Sequence, residues 1–225
     1  MTIATLGTNT IDILSTTVNH TLVAGTNRKA FAYISTENAT LITATGVTYG
    51  GVAMSLVLAV SAVGAAANYI SLWELNEASL PANGVNSVVG TLSGAAIDKS
   101  IFVRTLEGVA QTGPALSDTT SETAPGDGTI PNDFASPIAG IQWALSMASA
   151  GNAGAWAADG AQTEVDDYNP GSSQTQICDL RGGTGQIQLT STFTGTLNRL
   201  IRLSAVYNAF GAPDMLLQGS TTLIL

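Results

Sequence analysis

Hydrophobic and polar residues alternate along this chain with a period of two far more often than with the period of a helix. In "GQIQLTSTFTG", Ile187, Leu189 and Phe193 share one side with Ser191, while Gln186, Gln188, Thr190, Thr192 and Thr194 take the other. Side chains of a strand point to opposite faces in turn, so this stretch reads as a strand with one face on a core. The next stretch, "LNRLIRLSAVYNAF", puts Leu197, Ile201, Leu203, Ala205 and Tyr207 on one face, with Arg199 as the exception. Gly195-Thr196 separates the two and predicts an antiparallel hairpin.

Similar patterning predicts strands at Arg28–Glu37, Leu41–Tyr49, Asn68–Asn76, Asn86–Gly94, Lys99–Gly108 and Ile138–Ala148. In "MSLVLAVSAVGAAAN" periodicity does not separate helix from strand, and a strand from Met54 to about Val60 is the expectation. About eight to ten strands result, enough for a sandwich. Two stretches lack the alternation: Thr112–Pro137, with four prolines, reads as one long loop or subunit-contacting arm, and Ala150–Thr175 as a second irregular segment. No internal repeat of fixed period and no splitting linker is evident. The expected organisation is a single antiparallel all-β sandwich domain over residues 1–225, with an N-terminal arm at 1–10, the long loop at 112–137 and a C-terminal arm or strand at 211–225. Terminal strands without a local partner are expected to pair with a neighbouring subunit.

Composition narrows the function classes. Of the 225 residues 45% are hydrophobic and 10% charged, so Thr, Ser, Asn, Gln and Gly must cover much of the surface, which suits extended contact between subunits. Sixteen acidic residues against seven basic give a net charge of −9, and binding to nucleic acid by counterion release needs clustered Lys and Arg that are lacking. The N-terminal residues have no basic region followed by an apolar stretch, so a signal peptide is not expected. The longest apolar run, Val52–Ala67, is interrupted by Ser55, Ser61 and Gly64, and no membrane association is expected.

Candidate chemistry is sparse. The Gly50-Gly51 pair in "GVTYGGVAMSL" reads as a turn between strands, because a phosphate cradle needs a longer glycine pattern leading into a helix. One histidine, His20, and one cysteine, Cys178, leave no multi-His metal site and no internal disulfide, and no G-x-S-x-G elbow is present. His20 reads as an exposed or hydrogen-bonded structural residue and Cys178 as a buried inert thiol. No catalytic residue, cofactor or metal is assigned, and an enzyme is not expected. Trp73 and Trp143, embedded in strands, read as core. Trp156 lies in a Gly/Ala-rich loop and is the best single candidate for contact with a partner subunit or a glycan. It is joined by Asp159, Asp166 and Asp167, which with Glu164 form an acidic loop without EF-hand spacing.

The succession "NRKAFAYISTEN", "ITATGVTYGGVAMSLV", "YISLWELNEASLPANGVNSVVGTLSG" and "FVRTLEGVAQTGP" resembles a β-sandwich family of phage and bacterial proteins. In that family a "VTYGGQ-A-M/L-T" hairpin precedes an aromatic "SLWYL" strand, a "P-x-G" turn and a "V-S-G-V-D-Q" strand end. The resemblance covers roughly Asn27 to Pro114, with weaker echoes in "GIQWALSMASAGNAGAW" and "LIRLSAVYNAF". Val52 stands where the family has Gln, Glu74 interrupts the aromatic motif, and Ala110 stands where Asp is usual. The resemblance implies a jelly-roll-like sandwich without established catalytic residues, found among virion proteins and secreted modules. With the low charge and the absent catalytic pattern, it leads to the expectation of a virion structural protein. The specific expectation is a capsid decoration or cement protein that binds the capsid surface as a homo-oligomer, plausibly a trimer, against a major capsid protein or another virion protein. The alternative is a receptor- or carbohydrate-binding head of a phage fibre or tail. A secreted carbohydrate-binding module is a third reading.

Overall fold

The structure is a computed structural model and describes residues 2–123, 128–133, 142–152, 154–158, 162–169, 173–181, 188–196 and 198–212. Among these residues the chain forms seventeen strands: β1 (Ala4–Ile13), β2 (Thr17–Leu22), β3 (Lys29–Asn38), β4 (Ala44–Tyr49), β5 (Val52–Ala53), β6 (Ser55–Val63), β7 (Ala67–Asn76), β8 (Gly84–Leu92), β9 (Asp98–Glu107), β10 (Leu116–Glu122), β11 (Thr129–Asp133), β12 (Gln142–Ala150), β13 (Gly154–Ala158), β14 (Thr163–Tyr168), β15 (Gln174–Arg181), β16 (Gln188–Gly195) and β17 (Leu200–Asn208). Every strand pairing is antiparallel, and the all-β expectation holds.

The strands occupy four sheets. A first inner sheet has the order β1-β9-β3-β7-β6 and a first outer sheet β2-β8-β4-β5; a second inner sheet has the order β10-β17-β12-β15-β14 and a second outer sheet β11-β16-β13. With the two-residue β5 set aside, the second set repeats the first: β10 stands for β1, β17 for β9, β12 for β3, β15 for β7, β14 for β6, and β11, β16 and β13 for β2, β8 and β4. The chain therefore carries one topology twice. The offset between corresponding strands differs along the chain, from 102 residues for β9 and β17 to 113 for β3 and β12, so no fixed period marks it.

Burial patterns explain the layering. In the inner strands β3, β7, β12 and β17 nearly every residue is buried, because both faces are covered. Alternate residues enter different cores: Phe31 and Tyr33 of β3 join Ile201, Leu203, Ala205 and Tyr207 of β17 in a core between the two inner sheets. Ala30, Ala32 and Ile34 turn the other way, toward Val47, Tyr49 and Val88 of the first outer sheet. Ala148, Ala150 and Leu200 likewise pack on Ile130, Trp156 and Phe193 of the second outer sheet. Two sandwiches thus stand with their inner sheets face to face on a shared core, to which each buried large aliphatic or aromatic side chain contributes about 1.5–3 kcal/mol.

Several expectations change. Residues 112–137 hold two strands, β10 and β11, rather than one loop; β10, "LSDTTSE", is too polar to read as a strand, and β11 contains Pro131, which an edge strand tolerates. Residues 150–175 likewise contain β13 and β14. The N-terminal residues do not reach outward as an arm, since Ala4–Ile13 pairs with β9 in the same chain. The predicted hairpin at Gly195-Thr196 is instead a crossing between sheets: β16 pairs with β11 and β13, while β17 pairs with β10 and β12. Its face assignments nonetheless stand, with Leu189, Ser191 and Phe193 buried. The C-terminal segment beyond Ala212 lies outside the described residues.

Candidate functional site

The seam between the sandwiches gathers most of the buried charge. At one end, Arg199 precedes β17 and lies against the last residues of β3: its Nη2 donates to Glu37 Oε1 at 2.7 Å and its Nε to Asn68 Oδ1 at 3.1 Å. The same guanidinium reaches the carbonyl of Gly151, just past β12. At the opposite end Lys29 Nζ lies 3.2 Å from Glu74 Oε2, and Tyr207 O–H donates to that oxygen at 2.7 Å. Lys29 also sits 5.0 Å from the centre of the Tyr207 ring and donates to the carbonyl of Thr112. Between the two ends, Arg104 Nη1 meets Asp179 Oδ1 at 2.6 Å, and its guanidinium lies over the Trp143 ring at 5.6 Å. Each group joins one sandwich to the other.

These contacts also fix the relative direction of the halves. The ends of β3 and β12 meet at Arg199, and the end of β17 meets the end of β7, so corresponding strands run the same way. The sandwiches stand side by side with equivalent ends on the same side.

Burial sets the electrostatics. Lys29 is held below its usual range by loss of water, which its partner Glu74 partly offsets. Burial opposes the charge of Arg104, but Asp179 and Tyr33 together outweigh it and hold the guanidinium above its ordinary value. Tyr207 is raised well above the phenol range, first by burial and then by Glu74. A buried ion pair contributes little net stability over an apolar pair, but losing one partner strands a charge, so the two pairs that cross the seam, Arg104–Asp179 and Arg199–Glu37, penalise any docking of the halves that separates them.

Among the described residues, one edge of the seam is open. β6 and β10 pack together on one side, whereas on the other a cleft of about 520 Å³ lies between β1 and β14, lined by Thr5, Asn9, Arg104, Trp143, Glu164 and Asp179 among others. A bulge between Leu6 and Thr10, with Gly7 at φ +75°, displaces β1 there. Neither the cleft nor the cation pairs were indicated by sequence patterning, because Arg104 and Asp179, like Arg199 and Glu37, are brought together from distant strands.

The residues singled out by sequence fall elsewhere. Trp156 lies in β13 rather than a loop and is buried: its ring packs on Phe193 with centroids 5.1 Å apart and its indole N–H donates to the Gln174 carbonyl at 3.0 Å. Its short Gly/Ala neighbours had suggested a loop, yet they let the ring fill the second outer core and leave no open face for a sugar. Asp166 and Asp167 sit half-buried on β14; Asp167 accepts from the Gln174 side chain and from the Trp156 backbone N–H. Burial raises the Asp166 carboxyl above the usual carboxylate range. Asp159 lies outside the described residues. Among those described, no cluster of three or more His, Cys, Asp or Glu side chains could hold a metal ion.

His20 takes the hydrogen-bonded alternative of its expectation: it is fully buried, bridging Thr10 Oγ1 at 2.9 Å and Thr105 Oγ1 at 3.2 Å, with burial lowering its pKa to about 4. Cys178 is buried as expected, and burial pushes its thiol up to about 12, so it is a poor nucleophile. Gly50 and Gly51 have φ of +57° and +83° between paired Tyr49 and Val52, the geometry of a tight hairpin turn.

No protein-family profile matches the chain, and no curated protein matches it. Among solved structures it is similar to one described as "Crystal Structure of the STIV MCP", with 10% sequence identity over 98% of this chain and 99% of that chain and a TM-score of 0.26. So distant a likeness carries no functional inference.

Proposed function

We propose that this protein is a structural component of a virion that builds or covers a capsid shell as a homo-oligomer. The observation that carries the reading is the docking of two like-oriented sandwiches into one body, held by a continuous core, by the Arg104–Asp179 and Arg199–Glu37 ion pairs and by the Tyr207–Glu74 hydrogen bond. A chain built this way presents two equivalent ends on one side. That suits a tile in a layer, where neighbours must meet the same unit repeatedly.

The strand order of each half, passing back and forth between two sheets, supports the jelly-roll expectation. The low charge and the resemblance of residues 27–114 to phage sandwich proteins support the virion setting. Within that setting the sequence favoured a decoration or cement protein on the capsid surface, and the duplicated geometry favours a subunit that forms the shell. Either role is mechanical: contacts between copies, or with a major capsid protein, stabilise the assembled state by mass action. The alternative of a carbohydrate-binding head loses its aromatic platform with Trp156 buried.

Electron microscopy of the purified protein, alone and mixed with preformed shells, tests the proposal. A tile closes into shells or ordered sheets; a decoration protein coats shells made by another protein. A chain that does neither defeats the proposal.

A further inference from the structure

Among the described residues the two inner sheets leave four edge strands: β1, β6, β10 and β14. An edge strand exposes unpaired N–H and C=O groups and recruits other strands unless charges, bulges or prolines blunt it. Three of the four are blunted. β1 carries Asp12 and the bulge after Leu6, β10 carries Asp118 and Glu122, and β14 carries Glu164, Asp166 and Asp167. The outer-sheet edges β2, β5, β11 and β13 have six, two, five and five residues.

β6 is different. Its nine residues, "SLVLAVSAV", contain no charge and no proline, and no charged residue or histidine lies anywhere between Glu37 and Glu74. A bulge at Val57 disturbs its start, leaving Leu58–Val63 in regular register with β7. Ser55, Leu56, Ala59 and Val63 are exposed, Leu56 at 51% and Val63 at 57%.

We propose that β6 is the contact strand through which two copies of this chain join, edge to edge and antiparallel across a two-fold axis, extending the first inner sheet into its neighbour. Charge selects the occupant. Each copy carries −9, so two copies repel wherever their acidic surfaces meet. A strand without charge meets itself with no like-charge pair, and a two-fold contact needs only one self-complementary patch. Backbone hydrogen bonds supply the register, and Leu58, Val60 and Ala59 supply apolar cross-strand contacts.

The inference deepens the shell reading by naming a contact between copies. Its test uses the free protein in solution, so it can fail while particle composition still supports that reading, and the reverse. Sedimentation velocity over a concentration series is run on the full chain and on Ala59→Lys, Val63→Lys and, on the corresponding edge of the second inner sheet, Thr163→Lys. Both β6 lysines are expected to weaken self-association at least about tenfold, since each puts a charge from both copies into an otherwise uncharged edge contact, while Thr163→Lys leaves it unchanged. Hydrogen exchange of the unmodified chain provides a second readout: amides in β6 gain protection as concentration rises. A protein that stays monomeric at millimolar concentration, association indifferent to the β6 lysines, or association that leaves β6 exchange unchanged overturns the proposal.

Discussion

Arg199 and Glu37 meet across the seam with Nη2 and Oε1 2.7 Å apart, although 162 residues separate them and both are buried. Neither side chain has water to fall back on. Glu37→Ala therefore leaves the guanidinium with a desolvated charge and is expected to destabilise the fold by about 3–5 kcal/mol. Replacing both Arg104 and Asp179 by apolar residues of similar size should cost less than removing Asp179 alone, because the double change strands no charge. Denaturant unfolding of the single and double variants checks both statements.

His20 gives the first sandwich a pH dependence. Its folded pKa of about 4 lies below the ordinary 6.5, so the unfolded chain binds the extra proton between these values. Stability from this residue is complete above about pH 6.5 and is lost as pH falls toward 4, by up to about 3 kcal/mol. His20→Gln should flatten the melting temperature across that window relative to the parent protein. A parent whose stability does not change between pH 6.5 and 4 contradicts the assignment.

Trp156 belongs to the core of the second sandwich, its ring tilted against that of Phe193. Trp156→Ala should cost about 3–5 kcal/mol, the range for emptying a buried aromatic site. Thermal unfolding reads this directly; an unchanged melting temperature would return the residue to the surface.

The two turn glycines should respond differently to the same change. A methyl group at Gly50 would lie 2.8 Å from Pro81 Cβ, whereas at Gly51 it meets nothing within 4 Å. Both have positive φ, so each Gly→Ala carries about 1–2 kcal/mol of backbone strain, and Gly50→Ala adds a clash. The ordering of the two variants in chemical denaturation tests the turn geometry.

The sequence carried the strands and their faces, because period-two alternation survives wherever a strand separates core from solvent, as at Leu189, Ser191 and Phe193. It did not carry the doubling. Once the inner strands are buried on both faces, β3 and β17 read as near-continuous runs, and nothing in "KAFAYISTEN" says that Tyr33 and Ala32 face different cores. Insertions between strands also shift the spacing of the halves, erasing any period. The polar edge strand β10 was lost for a related reason, since its alternation is of Thr and Ser with acids rather than of apolar with polar. The seam was invisible because Arg104 and Asp179, or Glu37 and Arg199, are neighbours only after two sandwiches have folded and docked. Gly50-Gly51 was legible in full, because a turn is a local problem.

Copy number per particle tests the central claim most directly. Quantitative mass spectrometry of purified particles should find this chain in simple whole-number proportion to the most abundant shell protein, or to be that protein. Absence from the particles, or a handful of copies at a single vertex or tail, would contradict a role in building or covering the shell.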